Sequence, residues 1–172
     1  MADKLARIAR VDGLGMVTIR AALARAGDAM AEAVGLAIPG QTRFTTDGSR
    51  WLGWMSPDEL LLILPHAETA DAIAALEQAL VGEHALIADV SDMRVAFDIA
   101  GPDAWQVLAK LCPVDFGALP ADGLRRTRAA QVAAALWRRG DGFRLIGMRS
   151  VAGYLAEILR NAAVPGSGLG PR

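Results

Sequence analysis

Apolar positions along the chain change period repeatedly, and each change marks a predicted element. Residues 15–23, GMVTIRAAL, place Val17 and Ile19 on one face of a strand. Residues 28–34 read as a short helix with Asp28 near its positive end, and GLAIPGQ then breaks the pattern. Residues 43–46 predict a short strand closed by the Asp47-Gly48 turn pair. Residues 50–55 and 59–64 predict two more strands, split by Ser56-Pro57-Asp58. The second, LLLIL, has no alternation and is expected to be buried on both faces. Residues 68–81 predict a helix with Ile73, Leu76 and Leu80 on one stripe, followed by Gly82.

Residues 85–90 and 94–100 predict the next strands, with Val95, Phe97 and Ile99 alternating against Asp98. Gly101 allows a sharp exit, and Pro102 and Asp103 suit a helix start. Ala104, Val107, Leu108 and Leu111 recur at helical spacing until Pro113. Residues 127–137 predict one strand, Gly140-Asp141-Gly142 a turn, and 143–148 the second arm of a hairpin. Ser150 is placed to cap a last helix carrying Val151, Leu155, Ile158 and Leu159. Helices separated by strand pairs predict an α+β fold of split βαβ, ferredoxin-like units. The expected organisation is one domain over residues 1–163, with 164–172 a flexible Gly/Pro tail.

Composition narrows the function. A net charge of -1 with mixed signs offers no field for nucleic acid or anionic lipid. One cysteine excludes an internal disulfide and suits a reducing compartment. No apolar run is long enough for a signal peptide or a membrane span, so a soluble cytoplasmic protein is expected. Mean hydropathy of +0.29 fits either an Ala/Leu-rich core or apolar surface held against a partner.

Candidate chemistry is sparse. Gly13-Leu14-Gly15 lacks the third glycine of a phosphate loop. His66 and His84 bracket a helix roughly 20 Å long, too far apart to share a metal. Cys112 ends an apolar helix, as a buried inert thiol would. Asp98 and Asp103 are split by a turn and do not pair for acid–base work. The run containing Arg125, Arg126 and Arg128 reads either as a grip for a carboxylate or as a solvated strand start. Trp105 lies off its helix stripe and Trp137 faces opposite to Val132 and Leu136, so both are candidate interface anchors. Arg149 and Tyr154 flank Ser-Val-Ala-Gly, small residues against which another backbone could pack. The candidate interface set is therefore Trp105, Trp137, Arg149, Tyr154, Arg126 and Arg128, with no catalytic, cofactor-binding or metal-ligating residue.

Three segments in order, GWMSPDELLLILP (53–65), ADVSDMRVAFDIAGPDAWQVLAKLCPVDF (88–116) and RTRAAQVAAALWR with DGFRLIGMRSVAGYLAEIL (126–159), resemble the gamma subunits of heterotetrameric sarcosine oxidases. The Asp-Val-Ser strand followed by Gly-Pro-Asp-Ala also resembles the wider folate-binding aminomethyltransferase superfamily. The resemblance implies a trimmed aminomethyltransferase folate-binding domain within a complex that demethylates sarcosine to glycine. Oxygen would become hydrogen peroxide, and the one-carbon unit would leave as formaldehyde or methylenetetrahydrofolate. It implies alpha, beta and delta subunits as partners. FAD, FMN and NAD would sit on alpha and beta, zinc on delta, tetrahydrofolate in the complex, and no cofactor on this chain. Asp58-Glu59 lacks the Gly-Gly lead of active aminomethyltransferases, and Cys112 sits in a different element from the cysteine of the iron–sulfur-maintenance branch. No catalytic or folate residue carries over, which implies a non-catalytic subunit. The alternatives are a stand-alone folate-binding or aminomethyl-transfer protein and a homo-oligomeric structural protein.

Overall fold

The computed structural model describes residues 5–170. Contacts divide the chain into a central unit, Gly13–Asp92, and a terminal unit that joins the segment ending at Asp12 to the chain from Met93 onward. The names refer to sequence position.

The central unit contains β2 (Leu14–Arg20), α1 (Leu23–Val34), β3 (Phe44–Thr46), β4 (Trp51–Ser56), β5 (Glu59–Pro65), α2 (Thr69–Ala79) and β6 (Leu86–Asp89). Its sheet has the order β3-β4-β5-β2-β6, all antiparallel. Setting β3 aside as an added edge, this is the βαββαβ ferredoxin-like scheme. Val17, Ile19, Leu52, Leu60, Leu62 and Leu64 form one core with Ala26, Met30, Val34 and Leu76 of the helices. Leu61 and Ile63 are buried on the opposite face of β5, as the lack of alternation predicts.

Helix α1 starts five residues before its expected position. Ala, Leu and Arg are strong helix formers, and they extend the helix back through LARAG, taking Leu23 out of the expected strand. The helix ends at Gly35, whose φ of 71° lets its N–H reach Ala31 O.

The terminal unit contains β1 (Arg7–Val11), β7 (Arg94–Ala100), α3 (Ala104–Ala109), β8 (Leu124–Ala129), β9 (Val132–Arg139), β10 (Gly142–Met148) and α4 (Ala152–Ala162). Its sheet runs β1-β7-β10-β9-β8, also antiparallel. The topology repeats that of the central unit with one permutation. Strand β1, from the beginning of the chain, occupies the place that β6 holds beside β2, and β8 takes the added edge held by β3. Val95, Phe97, Ile99, Leu136, Phe143 and Leu145 pack with Val107, Leu108, Leu155 and Leu159 of the helices.

Three expectations fail here. Strand β1 was not anticipated, because RIARV is short, and only pairing along Ala96–Ala100 gives it a place. The single strand over 127–137 is two strands joined by a turn at Ala130, whose φ is 53°. An alanine in that region carries a penalty of roughly 1 kcal/mol and gives no sequence signal. A hydrogen bond from Ala130 N–H to Leu111 O at 2.8 Å holds it there. Ser150 does not cap α4: a 3-10 turn, Arg149–Val151, precedes the helix and no side chain caps it.

The segment expected as a flexible tail is fastened within the described residues. Lys110 Nζ donates to Ala162 O at 2.7 Å and to Ser167 Oγ at 2.8 Å, and Leu169 N–H donates to Gln106 Oε1 at 2.8 Å. Burial lowers the Lys110 pKa from its ordinary value.

Candidate functional site

The polar residues with chemical potential are mostly committed to structure. Asp98 on β7 faces Arg144 on β10 across the sheet, on the side away from α3 and α4. Arg144 donates Nε to Oδ1 at 2.7 Å and Nη2 to Oδ2 at 2.8 Å, a bidentate pair. Arg144 is 5% exposed, and Arg139 Nε approaches the same carboxylate at 3.8 Å. Asp98 therefore compensates a buried guanidinium. This pairing escaped sequence reasoning because β7 and β10 lie over 40 residues apart. The one available hint was an arginine at an inward position of GFRLIGM.

The Asp103 carboxylate accepts from Gln106 Nε2 at 2.8 Å, and its backbone carbonyl from Gln106 N–H at 2.9 Å. Ser56 Oγ donates to Asp58 Oδ1 at 2.7 Å, and this bond holds the Asp58 carboxyl below its usual value. Cys112 is buried, and desolvation pushes its thiol up to about 12. It is protonated at neutral pH and is not a poised nucleophile. His66 and His84 are both exposed, and no metal-holding cluster of three acids, histidines or cysteines occurs among the described residues.

Each unit carries a surface cleft among the described residues. The central unit's cleft, about 550 Å³, is bordered by Arg20, Arg25, Asp58 and His84. Its cations are paired: Arg20 lies 3.3 Å from Glu59, and Arg25 Nε donates to Glu83 at 2.7 Å. The terminal unit's cleft, about 520 Å³, lies between the start of α3 and the β9–β10 turn. It is walled by Trp105, Phe116, Phe143 and Arg138, with Asp141 at the turn. Phe116 and Phe143 meet edge to face at 5.2 Å, and the Arg138 guanidinium sits 5.3 Å from the Phe143 ring centre. Arg138 Nη2 and Nε donate to the carbonyls of Phe116 and Leu119 at 2.8 and 3.3 Å.

The expected interface residues separate into four places. Trp105 is half-buried and lines the aromatic cleft, at the chain's surface. Trp137 is 2% exposed, on the sheet side shared with Arg144, and corrects the expectation: its ring is covered within the chain and is not a free anchor. Arg126 and Arg128 are exposed on one face of the edge strand β8. Arg149 is exposed immediately after β10, and Tyr154 is 43% exposed on α4. Sequence reasoning missed Arg138, whose position against Phe143 depends on the β9–β10 register.

Residues 19–164 match the model of the "Sarcosine oxidase, gamma subunit family". The chain is 36% identical over 118 residues to a sarcosine oxidase subunit gamma of Corynebacterium sp. (strain P-1), covering 66% of this chain and 57% of the relative. It is also 36% identical over 132 residues to the subunit gamma of Arthrobacter sp., covering 73% and 63%. The chain thus spans less than two thirds of the length of these relatives. Its fold superposes on a chain of the heterotetrameric sarcosine oxidase from Corynebacterium sp. U-96, a structure in complex with pyrrole 2-carboxylate. That match has a TM-score of 0.87 and 25% identity and covers 97% of this chain and 88% of the other. The glycine cleavage system aminomethyltransferase T of Bartonella henselae shares the fold at a TM-score of 0.67 and 20% identity, over 90% of this chain and 45% of that one.

Proposed function

The chain belongs to the sarcosine oxidase gamma-subunit family, and from that premise we propose that it is a non-catalytic subunit of a heterotetrameric sarcosine oxidase. The observation that carries this reading is the near-complete superposition on a chain of such a complex. The use of the polar groups supports it: the carboxylate of Asp98 is committed to Arg144, and the Cys112 thiol is raised out of reactive range. In this reading sarcosine is demethylated to glycine on other chains, with peroxide as product. The alpha, beta and delta subunits carry the flavins, NAD and zinc, and the assembly is cytoplasmic. Capture of the tagged chain from its host tests the idea. A flavin spectrum, three co-eluting subunits and peroxide on adding sarcosine are expected. A colourless single band under gentle conditions would sink the assembly.

A second reading has one observation in its favour. Folate carries a flat pterin and an anionic tail, so it needs an aromatic wall and an arginine in one cleft, and Trp105, Phe143 and Arg138 provide both. Against it, Arg138 already gives Nε and Nη2 to backbone carbonyls. Titration of the isolated chain with tetrahydrofolate separates the two. Saturable micromolar binding lost in Trp105→Ala would favour the folate reading, and no binding would leave the cleft as surface packing.

A further inference from the structure

We propose that strand β6, the apolar edge of the central unit's sheet, takes up an extended basic segment of a partner subunit as an added strand. The inference rests on the subunit reading above and names the edge that the assembly uses. Each unit's sheet ends in two edge strands, and a bare edge invites pairing unless charge, brevity or cover protects it. Strand β3 is three residues long, β1 carries Arg7 and Arg10, and β8 carries three arginines. Strand β6 is Leu86-Ile87-Ala88-Asp89, with three apolar residues of four and no cation. The Asp89 carboxylate is turned to Ser91, whose N–H it accepts at 2.9 Å.

The register fixes which backbone groups this edge offers. Val90 N–H donates to Met16 O at 2.8 Å, and hydrogen-bonded pairs alternate along an antiparallel ladder. The bonded pairs of β2 with β6 are therefore Thr18–Ala88 and Arg20–Leu86. The other side of β2 agrees: Ala21 N–H donates to Asp58 O and His66 N–H to Gly13 O, so the odd-numbered residues of β2 bond to β5. The N–H and C=O of Ile87 and Asp89 consequently point away from the sheet, spaced for a further strand. Leu86 is 53% exposed and Val81 is 81% exposed, so apolar surface accompanies those groups. Main-chain groups in a row beside apolar side chains are what an added strand needs.

Charge selects the occupant. Residues 13–92 hold eleven acids, four arginines and no lysine, an excess of seven negative charges in a chain whose net charge is -1. Two of those arginines border the cleft at the start of β6, and both are engaged with acids: Arg20 lies 3.3 Å from Glu59, and Arg25 Nε donates to Glu83 at 2.7 Å. Helix α2, packed on β6, adds Asp71 and Glu77, both exposed. Antiparallel pairing of β6 with the same strand of a second copy would bring two units of this charge together, which opposes a dimer. A segment that alternates apolar residues with Lys or Arg instead sets an apolar side chain beside Leu86 and a cation beside Asp89.

The test uses the full chain and the purified remaining subunits of the complex, with association measured by titration and amide exchange read by mass spectrometry. The peptide spanning β6 is expected to gain two protected amides when the complex forms, those of Ile87 and Asp89. Leu86→Lys should weaken association about tenfold or more and Leu86→Glu about threefold or less, with the melting temperature unchanged in both because the side chain is exposed. Unchanged exchange over β6 in an assembled complex overturns the added strand and leaves the subunit reading standing. Weaker binding by Leu86→Glu than by Leu86→Lys overturns the basic segment. Protection that appears over β6 in the chain alone as it dimerises assigns the edge to a second copy and also overturns the proposal. A wild type that binds none of the subunits overturns this edge and the subunit reading together.

Discussion

The two units use one strand order and fill it differently. In the central unit the middle strands carry Met16, Leu61 and Ile63 buried on the face away from the helices. In the terminal unit the same middle strands carry an ion pair, Asp98–Arg144, on the face away from the helices. Its edge strand carries three arginines, whereas the central unit's edge carries none. A shared topology thus tolerates opposite solutions on the face that the helices leave uncovered. Apolar burial contributes stability in any register. A buried pair contributes little net stability, yet opposes misalignment because a one-residue slip would strand both charges. The terminal unit also draws its fourth strand from the other end of the chain, so correct register matters more there.

Substitutions can break that contrast. The largest effect is expected from Leu62→Ala, which opens a cavity in the aliphatic core and costs about 3–4 kcal/mol by denaturant unfolding. Arg144→Leu, which leaves Asp98 without its clamp, should cost about 3 kcal/mol, and the double change D98L/R144L should recover most of that loss. If the double variant is as unstable as the single one, the pair does not act as a unit and the contrast between the sheets weakens.

Gly142→Ala should cost roughly 1–3 kcal/mol, because the new Cβ would lie 2.0 Å from Ile99 O, a backbone atom that only a strand shift can move. Differential scanning of this variant tests whether β10 and β7 need that close approach.

Two pH-linked effects are smaller. The Cys112 thiol is raised in the folded chain, so its contribution is fully present below the ordinary value of 9.0. It is lost as pH climbs from there through about 12. Alkylation of Cys112 at pH 8 should accordingly follow the rate of chain opening, and prompt labelling of the native protein would contradict its burial. At the acid end, Ser91 donates its hydroxyl and its backbone N–H to Asp89 and holds that carboxyl below the ordinary range. The stability from this contact is present above the unfolded pKa and fades as pH falls through the folded one. Ser91→Ala should blunt that acid loss slightly and leave the neutral plateau lower by about 1 kcal/mol or less, since Ser91 Oγ also accepts from Met16 N–H at 2.9 Å.

Local pattern alone determined most of the elements. Residues 94–100 alternate so cleanly that the strand Arg94–Ala100 needs no partner to be recognised, and Gly101, with φ of 129°, ends it as a glycine can. The lack of alternation in LLLIL determined burial on both faces of β5, and the missing catalytic motifs reduced the candidate chemistry to arginines and tryptophans. Tertiary structure alone decided the turn at Ala130, which depends on Leu111 O, and the place of β1 beside β7. It also decided that Trp137 is buried while Trp105 lines a cleft, and that Asp98 answers Arg144. The reason is the range of the forces involved. Periodicity and turn preference act over a few neighbouring residues, whereas strand pairing, side-chain burial and charge compensation join residues whose sequence separation carries no record of the contact.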